Sequence, residues 1–503
     1  MMTEQPARAT RYRGAQPFGD DAVSRHTYFG RRESADALAA QIQAGRLVVV
    51  YGRSGLGKSS LLNAAVAPLL REVGLLPLML RLNDIQQPLA QQLMRAVQSE
   101  AGRQGIETVP GETTSLWRYF QTLELWQGDL LATPVLVIDQ FEEVFTLHSE
   151  TKREAFLDEF GPLARGVAPP AENEPGVPPL HIVLSLREDF LGLLEDASDR
   201  IPQILDRRFR LRPLDRRAAT EAMVAPAALT DPTLTTPPFQ IAPAFVETVL
   251  DYLTSRSDGA TTLMSAPQVD PFHLQLICQR VEDLVSGQRV ERQAPLLAPG
   301  EPFNLVHFGG RPALAVTMRR FYADAIDTLI GRGQRRGARK LCQDYLISPE
   351  GRRLSIEAHE ITRMLGLTPE SLQQLVGRRL LRAERRSSSV YFELGHDAMV
   401  EPILATRRVQ RQLVGWALTI SGALLAFIFG LFTLMSVAAS AWMAVEGRSY
   451  LSADIPVAAQ AVLFLVGMAV YSAITYGAMK MFLAGRQHLR RYRKRDKVPA
   501  LPP

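Results

Sequence analysis

Short runs of apolar residues recur along the first half of the chain, separated by polar stretches. Runs with the length and composition of buried strands occur at residues 47–51, 76–82, 134–138 and 181–186. Stretches with helical spacing of apolar residues occur at residues 37–43, before the first of these runs, and at 61–71, 90–100 and 116–125, between the later ones. Apolar runs without alternation are typical of parallel strands that are covered on both faces. The pattern predicts an α/β fold with a parallel sheet, and residues 207–214 are expected to add an edge strand.

The second half of the chain begins with consecutive helices. Helical spacing of apolar residues occurs at residues 218–228, 242–253, 316–330, 341–346, 356–365 and 369–380. Residues 381–394 then alternate between apolar and polar side chains on either side of a polar tip, which is typical of a β-hairpin. Helices followed by a hairpin indicate a winged-helix domain.

Two long apolar runs near the C-terminus predict a transmembrane hairpin. Residues 413–445 and 455–479 contain no Asp, Glu, Lys or Arg, and about 20 helical residues cross a bilayer. Basic residues precede the first run and follow the second, and the connection between them is nearly free of basic residues. This bias predicts a multi-pass membrane protein with both termini in the cytoplasm. The basic tail is expected to contact the lipid bilayer, and nucleic acid is the less favoured partner.

The bulk composition is that of a folded protein, with 46% hydrophobic and 22% charged residues in 503. The two cysteines, Cys278 and Cys342, have neither metal-ligand spacing nor the pattern of a disulfide framework. Residues 1–23 contain no apolar run, so no cleavable signal peptide is expected. The composition therefore argues against a disulfide-rich secreted protein.

The loop after the first strand fits the phosphate-binding pattern G-x-x-x-x-G-K-[ST]. A glycine-rich loop lets several backbone N–H groups approach one triphosphate, and the helix that follows adds its positive N-terminus. Lys58 supplies a charge for the β- and γ-phosphates, and the Ser59 hydroxyl is a ligand for Mg²⁺. The loop residues expected to bind nucleotide are Gly52, Arg53, Ser54, Gly55, Leu56, Gly57, Lys58, Ser59 and Ser60.

Acidic residues follow the strand at residues 134–138. The carboxyl ends of parallel strands meet at one edge of an α/β sheet, where ligands bind. Asp139 is therefore expected to hold Mg²⁺ directly or through water, and either Glu142 or Glu143 is expected to polarise the attacking water. Arg187, at the end of the next strand, is within reach of a γ-phosphate at the same edge. A surface ion pair with Glu188 or Asp189 is the alternative for this arginine.

Four segments resemble signatures of the STAND signalling NTPases, and more narrowly those of the bacterial novel STAND subgroup. They are Phe29-Gly30-Arg31-Arg32-Glu33, the phosphate loop, Asp139-Gln140-Phe141-Glu142-Glu143 and Leu186-Arg187-Glu188-Asp189-Phe190. The resemblance implies an AAA-like P-loop core, a helical domain and a winged helix. It also implies a switch that holds ADP when off, exchanges it for ATP when on, and then assembles into a homo-oligomer.

The resemblance extends to individual residues. It implies that Phe29, Gly30 and Arg31 belong to the nucleotide site, that Pro271 packs on the adenine, and that His396 contacts the β-phosphate of ADP. From the residues alone, Pro271 reads as an ordinary proline at a helix start. The preference for ATP over GTP rests on the same resemblance.

These expectations divide the chain into consecutive parts. They are a flexible N-terminus (1–25), a P-loop NTPase domain (26–215), a helical domain (216–305), a winged-helix domain (306–405), a transmembrane hairpin (406–482, with spans at about 414–438 and 456–479) and a basic cytoplasmic tail (483–503).

The favoured function is a membrane-anchored ATPase switch with slow, Mg²⁺-dependent hydrolysis, which signals or acts through its transmembrane segments. The resemblance implies a role in bacterial antiphage defence. Apolar runs stand where many relatives carry a repeat array, so a partner protein is the expected source of the trigger. One alternative is a constitutive, membrane-tethered ATPase motor or assembly factor of an envelope complex. Another is a membrane-bound winged-helix regulator that binds DNA.

Overall fold

The computed structural model of the protein describes most of the chain in two compact units. The described residues are 9–170, 176–254, 268–287, 297–298, 300–348, 351–386, 389–396, 399–446, 466–467, 469–484 and 486. The first unit comprises residues 1–403 and the second comprises residues 404–503.

The structure confirms strands at the four apolar runs in the first half of the chain. They are β1 Leu47–Gly52, β2 Leu75–Leu80, β3 Glu107–Val109, β4 Glu124–Gln127, β5 Leu130–Leu131, β6 Thr133–Asp139, β7 His181–Arg187, β8 Arg208–Arg210, β9 Ile356–Glu357, β10 Leu381–Arg386 and β11 Ser389–Leu394. β3, β4 and β5 form a small antiparallel sheet.

The main sheet has five parallel strands in the order β2-β6-β7-β1-β8. The predicted edge strand, β8, pairs with β1 at one side of the sheet. The register aligns Gly52 with Arg187, and Asp139 with Ser185. Because the strands are parallel, the ends of β1, β6 and β7 meet at a single edge.

The helices of the described residues are α1 Ala22–Thr27, α2 Arg32–Gln43, α3 Lys58–Leu61, α4 Ala67–Glu72, α5 Leu89–Arg103, α6 Leu116–Thr122, α7 Glu142–Thr146, α8 Glu150–Arg165, α9 Arg216–Ala228, α10 Pro243–Thr254, α11 Pro271–Ser286, α12 Leu305–Phe308, α13 Arg311–Asp327, α14 Arg332–Lys340, α15 Ala358–Leu365, α16 Pro369–Gly377 and α17 Val400–Glu446. A π-helical turn, Leu62–Val66, joins α3 to α4, so the helix after the phosphate loop runs on to Glu72.

Two hydrophobic clusters cover the two faces of the main sheet. Val49 of β1 faces a cluster built with α5, α6 and α8, which includes the buried rings of Trp117 and Phe160. Val48 and Val50 face the other cluster, built with α2 and the helix after the phosphate loop. Successive strand residues point to opposite faces, and both faces are covered here. This is why the strand sequence is continuously apolar.

The N-terminal segment differs from the expectation of a flexible residue range 1–25. Arg11 and Tyr12 are completely buried. The Arg11 guanidinium donates to Thr236 Oγ1 at 2.8 Å and to the Pro226 carbonyl at 2.8 Å. The Glu282 carboxylate accepts from the backbone N–H groups of Arg11 and Tyr12. The expectation is therefore wrong for residues 9–25, because this polar segment finds its partners among residues far along the chain.

Residues 311–394 form a helical region that ends in a small antiparallel sheet. Its strand order is β10-β11-β9, and α14, α15 and α16 precede the hairpin of β10 and β11. The predicted hairpin is confirmed, with Leu381 opposite Leu394 at its base.

The second unit contains a long apolar helical segment. Within α17, Trp416–Met435 is long and apolar enough to cross a membrane, with a mean hydropathy of 2.2 and 11% burial, and it is the single such helix in the described residues. Residues 469–484 are helical. A Cβ on Gly422 would lie 2.6 Å from the Phe482 backbone nitrogen, so the two segments pack closely. Residues 456–465 and 468 of the predicted second span lie outside the described residues.

Candidate functional site

A cavity of about 470 Å³ lies at the carboxyl edge of the main sheet. The predicted site residues that line it are Phe29, Arg31, Ser54, Gly55, Leu56, Gly57, Lys58, Ser59, Ser60, Asp139, Glu142, Arg187, Pro271 and His396. Gly30, Gly52, Arg53 and Glu143 are not among the described residues on its wall. The cavity is therefore bounded by the sheet edge, by α11 and by the segment that follows the hairpin.

Glycine is required at several loop positions. Gly55 and Gly57 have φ of 88° and 87°, in the left-handed region that disfavours a Cβ. A Cβ on Gly52 would lie 2.7 Å from the Leu211 carbonyl oxygen, and one on Gly30 would lie 2.3 Å from that of Ala218. Gly30 and Gly52 do not line the cavity, but a side chain at either position would clash with the backbone packed against it.

Arg31 holds the loop through its carbonyl groups. Its guanidinium donates to the Arg212 carbonyl at 2.7 Å and to the Leu56 carbonyl at 3.3 Å. The side chain is buried, and burial lowers its pKa. Arg31 thus connects the phosphate loop to the segment after β8.

Lys58 folds over its own loop. Its Nζ donates to the Gly52 carbonyl at 2.8 Å and to the Arg53 carbonyl at 3.3 Å. Burial lowers the pKa of this ammonium, and the negative charges of Glu142 and Asp139 oppose that shift. Within the described residues the hydrogen bonds of this ammonium go to neutral carbonyls, which it can exchange for phosphate oxygens.

The Asp139 carboxylate accepts hydrogen bonds from the hydroxyl groups of two serines. Ser59 Oγ donates to Asp139 Oδ2 at 2.6 Å, and Ser185 Oγ donates to Asp139 Oδ1 at 2.7 Å. Oxygen ligands of this kind suit Mg²⁺, which takes one or two protein ligands beside phosphates and water. In the described part of the chain no group of three or more His, Cys, Asp and Glu residues could hold a metal. The Ser59–Asp139 pair therefore fits a nucleotide-bound Mg²⁺ better than a metal held by the protein alone.

The two candidate glutamates have different environments. Glu142 is 1% exposed, lines the cavity, and leaves Oε2 without a hydrogen-bond partner. Burial raises the pKa of this carboxyl. Glu143 is instead bound by both arms of Arg81, with Arg81 Nε 2.9 Å from Glu143 Oε2. The geometry therefore favours Glu142 as the group available to a water molecule in the cavity.

The turn after β6 aims these glutamates. Gln140 has φ of 57°, which is unusual for a residue with a side chain, and its side chain accepts hydrogen bonds from Arg81 and Arg382. A residue held in this region by its contacts marks a functional constraint. The turn places Asp139 and Glu142 on the same cavity wall.

Arg187 reaches the predicted edge but has two anionic partners there. It donates to Asp189 Oδ2 at 2.6 Å and to Glu393 Oε1 at 3.0 Å. Its guanidinium also lies 5.1 Å from the centre of the Phe190 ring. Of the two alternative partners expected for Arg187, Asp189 forms the ion pair, whereas Glu188 pairs with Arg210. Glu393 is a partner of Arg187 that no local sequence pattern predicts.

His396 stacks on Phe272, the residue after Pro271. The ring centres are 4.0 Å apart, and His396 Nδ1 is buried without a hydrogen-bond partner. Burial, together with the charges of Arg353 and Arg379, lowers the pKa of this imidazole to about 3. The ring is therefore neutral near pH 7, and His396 lines the cavity while its unpaired Nδ1 is buried. Pro271 is the first residue of α11, as an ordinary helix-start proline would be.

Sequence reasoning missed part of the cavity wall. Residues 14–18, together with Arg81, Arg379 and Arg382, also line it. The backbone N–H of Phe18 donates to Ser60 Oγ at 3.1 Å, and the Phe18 and Tyr28 rings meet edge to face. No local pattern marks residues 14–18 as part of a site. The alternation of the hairpin could have indicated that Arg382 shares a face with Glu393.

The model of the family Novel STAND NTPase 1 matches residues 12–264. No curated protein matches this sequence.

Several solved structures are similar in part. The Walker-type ATPase PABY2304 of Pyrococcus abyssi has 14% identity and a TM-score of 0.37, covering 77% of this chain and 98% of its own. The ORC2 protein of Aeropyrum pernix, in ADPNP–ADP complexes, has 13% identity and a TM-score of 0.37, covering 75% and 95%. Cdc6p of Pyrobaculum aerophilum has 12% identity and a TM-score of 0.27, covering 75% and 94%.

Proposed function

Since the chain belongs to the Novel STAND NTPase 1 family, we propose that it is a membrane-anchored switch that is controlled by ADP and ATP and assembles into a homo-oligomer when active. The observation that carries this proposal is the shared cavity wall. Phosphate-loop residues, Pro271 of α11 and His396 after the hairpin all line one cavity. A nucleotide bound there would contact parts of the chain that are far apart in sequence.

The proposed reaction is hydrolysis of ATP at the sheet edge. Lys58 binds the β- and γ-phosphates, and Glu142 polarises the attacking water. Ser59 and Asp139 hold Mg²⁺, which neutralises phosphate charge when bound. The Ser59–Asp139 hydrogen bond and the unpaired Glu142 Oε2 support these roles. Slow turnover is expected of a switch, because the bound nucleotide determines how long each state persists.

The proposed off state holds ADP beneath His396. The unpaired Nδ1 of this neutral ring supports a hydrogen bond to the β-phosphate. Exchange for ATP would move the hairpin region away from the phosphate loop and expose surfaces for assembly. Residues 306–405 are proposed to be a winged-helix domain, which the β10-β11-β9 sheet and its preceding helices support.

The membrane part of the proposal concerns the second unit. The apolar helix Trp416–Met435 and its close packing at Gly422 support a transmembrane hairpin in the bacterial inner membrane. Both termini are proposed to be cytoplasmic, because basic residues precede the first apolar run and follow the second, whereas the connection between the runs is nearly free of them. A partner protein would supply the trigger, and clustering of the spans would be the output in antiphage defence.

The test compares the detergent-solubilised full chain, as purified and after incubation with ATP and Mg²⁺. Nucleotide content is measured by chromatography of the released ligand, and size by light scattering. A Lys58→Ala variant removes the phosphate-binding ammonium, and Lys152→Ala is the matched control because Lys152 is exposed on α8. ADP in the purified monomer and ATP-driven assembly that only Lys58→Ala lacks would support the switch. The same assembly in every state would favour a constitutive motor or scaffold instead.

A further inference from the structure

The hairpin carries one pair of opposite charges side by side. Arg382 on β10 and Glu393 on β11 are directly opposite each other in the antiparallel register. Opposed residues in such a ladder project from the same face of the hairpin. Glu393 is 6% exposed, and the side chain of Arg382 is 20% exposed.

The end of the main sheet carries the complementary pair. Arg187 ends β7, and Glu142 follows β6, the neighbouring strand. Arg187 Nη1 is 3.0 Å from Glu393 Oε1, and Arg382 Nη2 is 3.6 Å from Glu142 Oε1. Arg382 also donates to Gln140 Oε1 at 3.0 Å. Two ion pairs therefore join the hairpin to the proposed site of hydrolysis. The hairpin supplies the anion, Glu393, in one pair and the cation, Arg382, in the other.

We propose that these four residues form a charge-exchange contact that makes the hairpin sensitive to the terminal phosphate of a nucleoside triphosphate. This inference rests on the proposed function. When the hairpin lies against the sheet edge, as it does in this structure, the Glu393 carboxylate is paired with the Arg187 guanidinium. A γ-phosphate would therefore compete with Glu393 for that guanidinium. Arg382 holds Glu142 for as long as Glu393 keeps the hairpin in place. A nucleoside diphosphate lacks the competing group and leaves the contact closed.

The surroundings of Glu393 make this exchange favourable. Its carboxylate is also 3.6 Å from Arg353 Nη1, so it keeps a cationic partner after leaving Arg187. A buried carboxylate released without a partner would be costly, whereas one that changes partners is not. A phosphate oxygen is at least as good an acceptor for guanidinium as a carboxylate. Glu142, once separated from Arg382, is free to act on water.

The experiment measures the ratio of affinities for two probes, a fluorescent non-hydrolysable ATP analogue and the matching ADP analogue, on the detergent-solubilised full chain. Glu393→Gln removes the competing charge and keeps the shape of the side chain. We expect it to raise the affinity for the triphosphate about tenfold relative to the diphosphate. Glu370→Gln, an exposed change at the start of α16, is the matched control.

A purely structural role for Glu393 predicts a different result. It would change both affinities equally, and this outcome would overturn the exchange. The effect must also disappear in an Arg187→Gln background, because Glu393 acts through Arg187; persistence there would overturn it as well. If Glu393→Gln does not fold, Glu393→Asp keeps the charge with a shorter reach and is expected to shift the ratio in the same direction by less.

Arg382 provides an independent readout. Arg382→Gln is expected to raise the single-turnover rate of hydrolysis severalfold, Arg382→Lys to restore the parent rate, and exposed Arg363→Gln to have no effect. An unchanged or lower rate in Arg382→Gln would contradict the proposal that the ion pair with Arg382 keeps Glu142 from acting on water. If the parent chain binds neither probe, the proposed function itself fails. If it binds both and the ratio is insensitive to Glu393→Gln, only the exchange fails.

Discussion

His396 lies directly against Gly55 of the phosphate loop. A Cβ built on Gly55 would be 3.0 Å from His396 Nδ1. The imidazole therefore occupies space that only a glycine leaves open, and the loop and the segment after the hairpin can approach each other to this distance. Their contact lies at the wall of the cavity proposed to hold the phosphates.

Gly55→Ala is expected to weaken ADP binding by more than about tenfold. The new methyl group both strains a residue at φ of 88° and displaces His396. Gly105→Ala is the matched control, because Gly105 also has positive φ, at 72°, but has open space around its Cβ position. ADP affinity is measured by titration with a fluorescent analogue. Equal weakening in both variants would mean that the contact with His396 has no influence on binding.

The lowered pKa of His396 predicts a specific pH dependence of stability. The unfolded chain protonates this histidine near pH 6.5, whereas the folded chain does so near pH 3. The unfolded state binds the extra proton between these values, so the contribution of His396 is complete above pH 6.5 and is lost as the pH falls toward 3. Thermal unfolding is followed from pH 8 to pH 4.5 for the parent and for His396→Gln. A variant with the same pH dependence as the parent would contradict this account.

Glu142→Gln and Glu143→Gln should separate two roles. Loss of the carboxylate that lines the cavity is expected to slow single-turnover hydrolysis about 100-fold or more, with ATP affinity retained. Glu143→Gln removes an ion pair with the half-exposed Arg81 and is expected to cost about 1 kcal/mol of stability with a much smaller effect on rate. Because burial raises the pKa of Glu142, hydrolysis should decline with falling pH earlier than for an exposed glutamate. The reverse ranking of the two rates would assign the reaction to Glu143.

Arg11→Met tests whether the start of the chain belongs to the folded core. The change removes the guanidinium donor from Thr236 Oγ1 and from three backbone carbonyls, those of Pro226, Leu229 and Thr236, and it removes the positive charge near Glu282. We expect a loss of about 3 kcal/mol in the free energy of unfolding, measured with urea. Arg25→Met is the control, since the side chain of Arg25 is 40% exposed and makes one long ion pair. A similar small loss in both variants would indicate a loosely attached segment.

Gly422→Val tests the packing of the second unit. Its side chain would meet the backbone of Phe482, where a Cβ already comes within 2.6 Å. Gly430→Val, on the same helix, has no atom within 4 Å of its Cβ position. Only the first change is expected to lower the thermal stability of the detergent-solubilised protein and to impair ATP-driven assembly, as followed by light scattering. Equal behaviour would argue against close helix packing at Gly422.

Local patterns were sufficient for the parts of the fold that are locally determined. The run around Val49 predicted a buried strand because both of its faces are covered, and the loop glycines predicted the turn that precedes Lys58. The hairpin followed from alternation.

Long-range pairings could not be predicted in this way. The partners of Arg11 lie more than 200 positions along the chain, and Arg187 and Glu393 are separated by 206. Alternation shows which side chains share a face, but not which surface that face meets. The distinction between Glu142 and Glu143 likewise depends on Arg81, which comes from another strand end.

The short N-terminal segment has a mechanical consequence. Arg11 is fastened to the region of α9 and α11, and Phe18 is fastened to Ser60 in the helix after the phosphate loop. A chain anchored at both ends over so few residues is a tether: it limits how far those two regions can separate. Any large change in the volume of the cavity then falls to the remaining wall, which carries Arg382 and His396 and is joined to the sheet edge by side-chain contacts of Arg382 and Glu393.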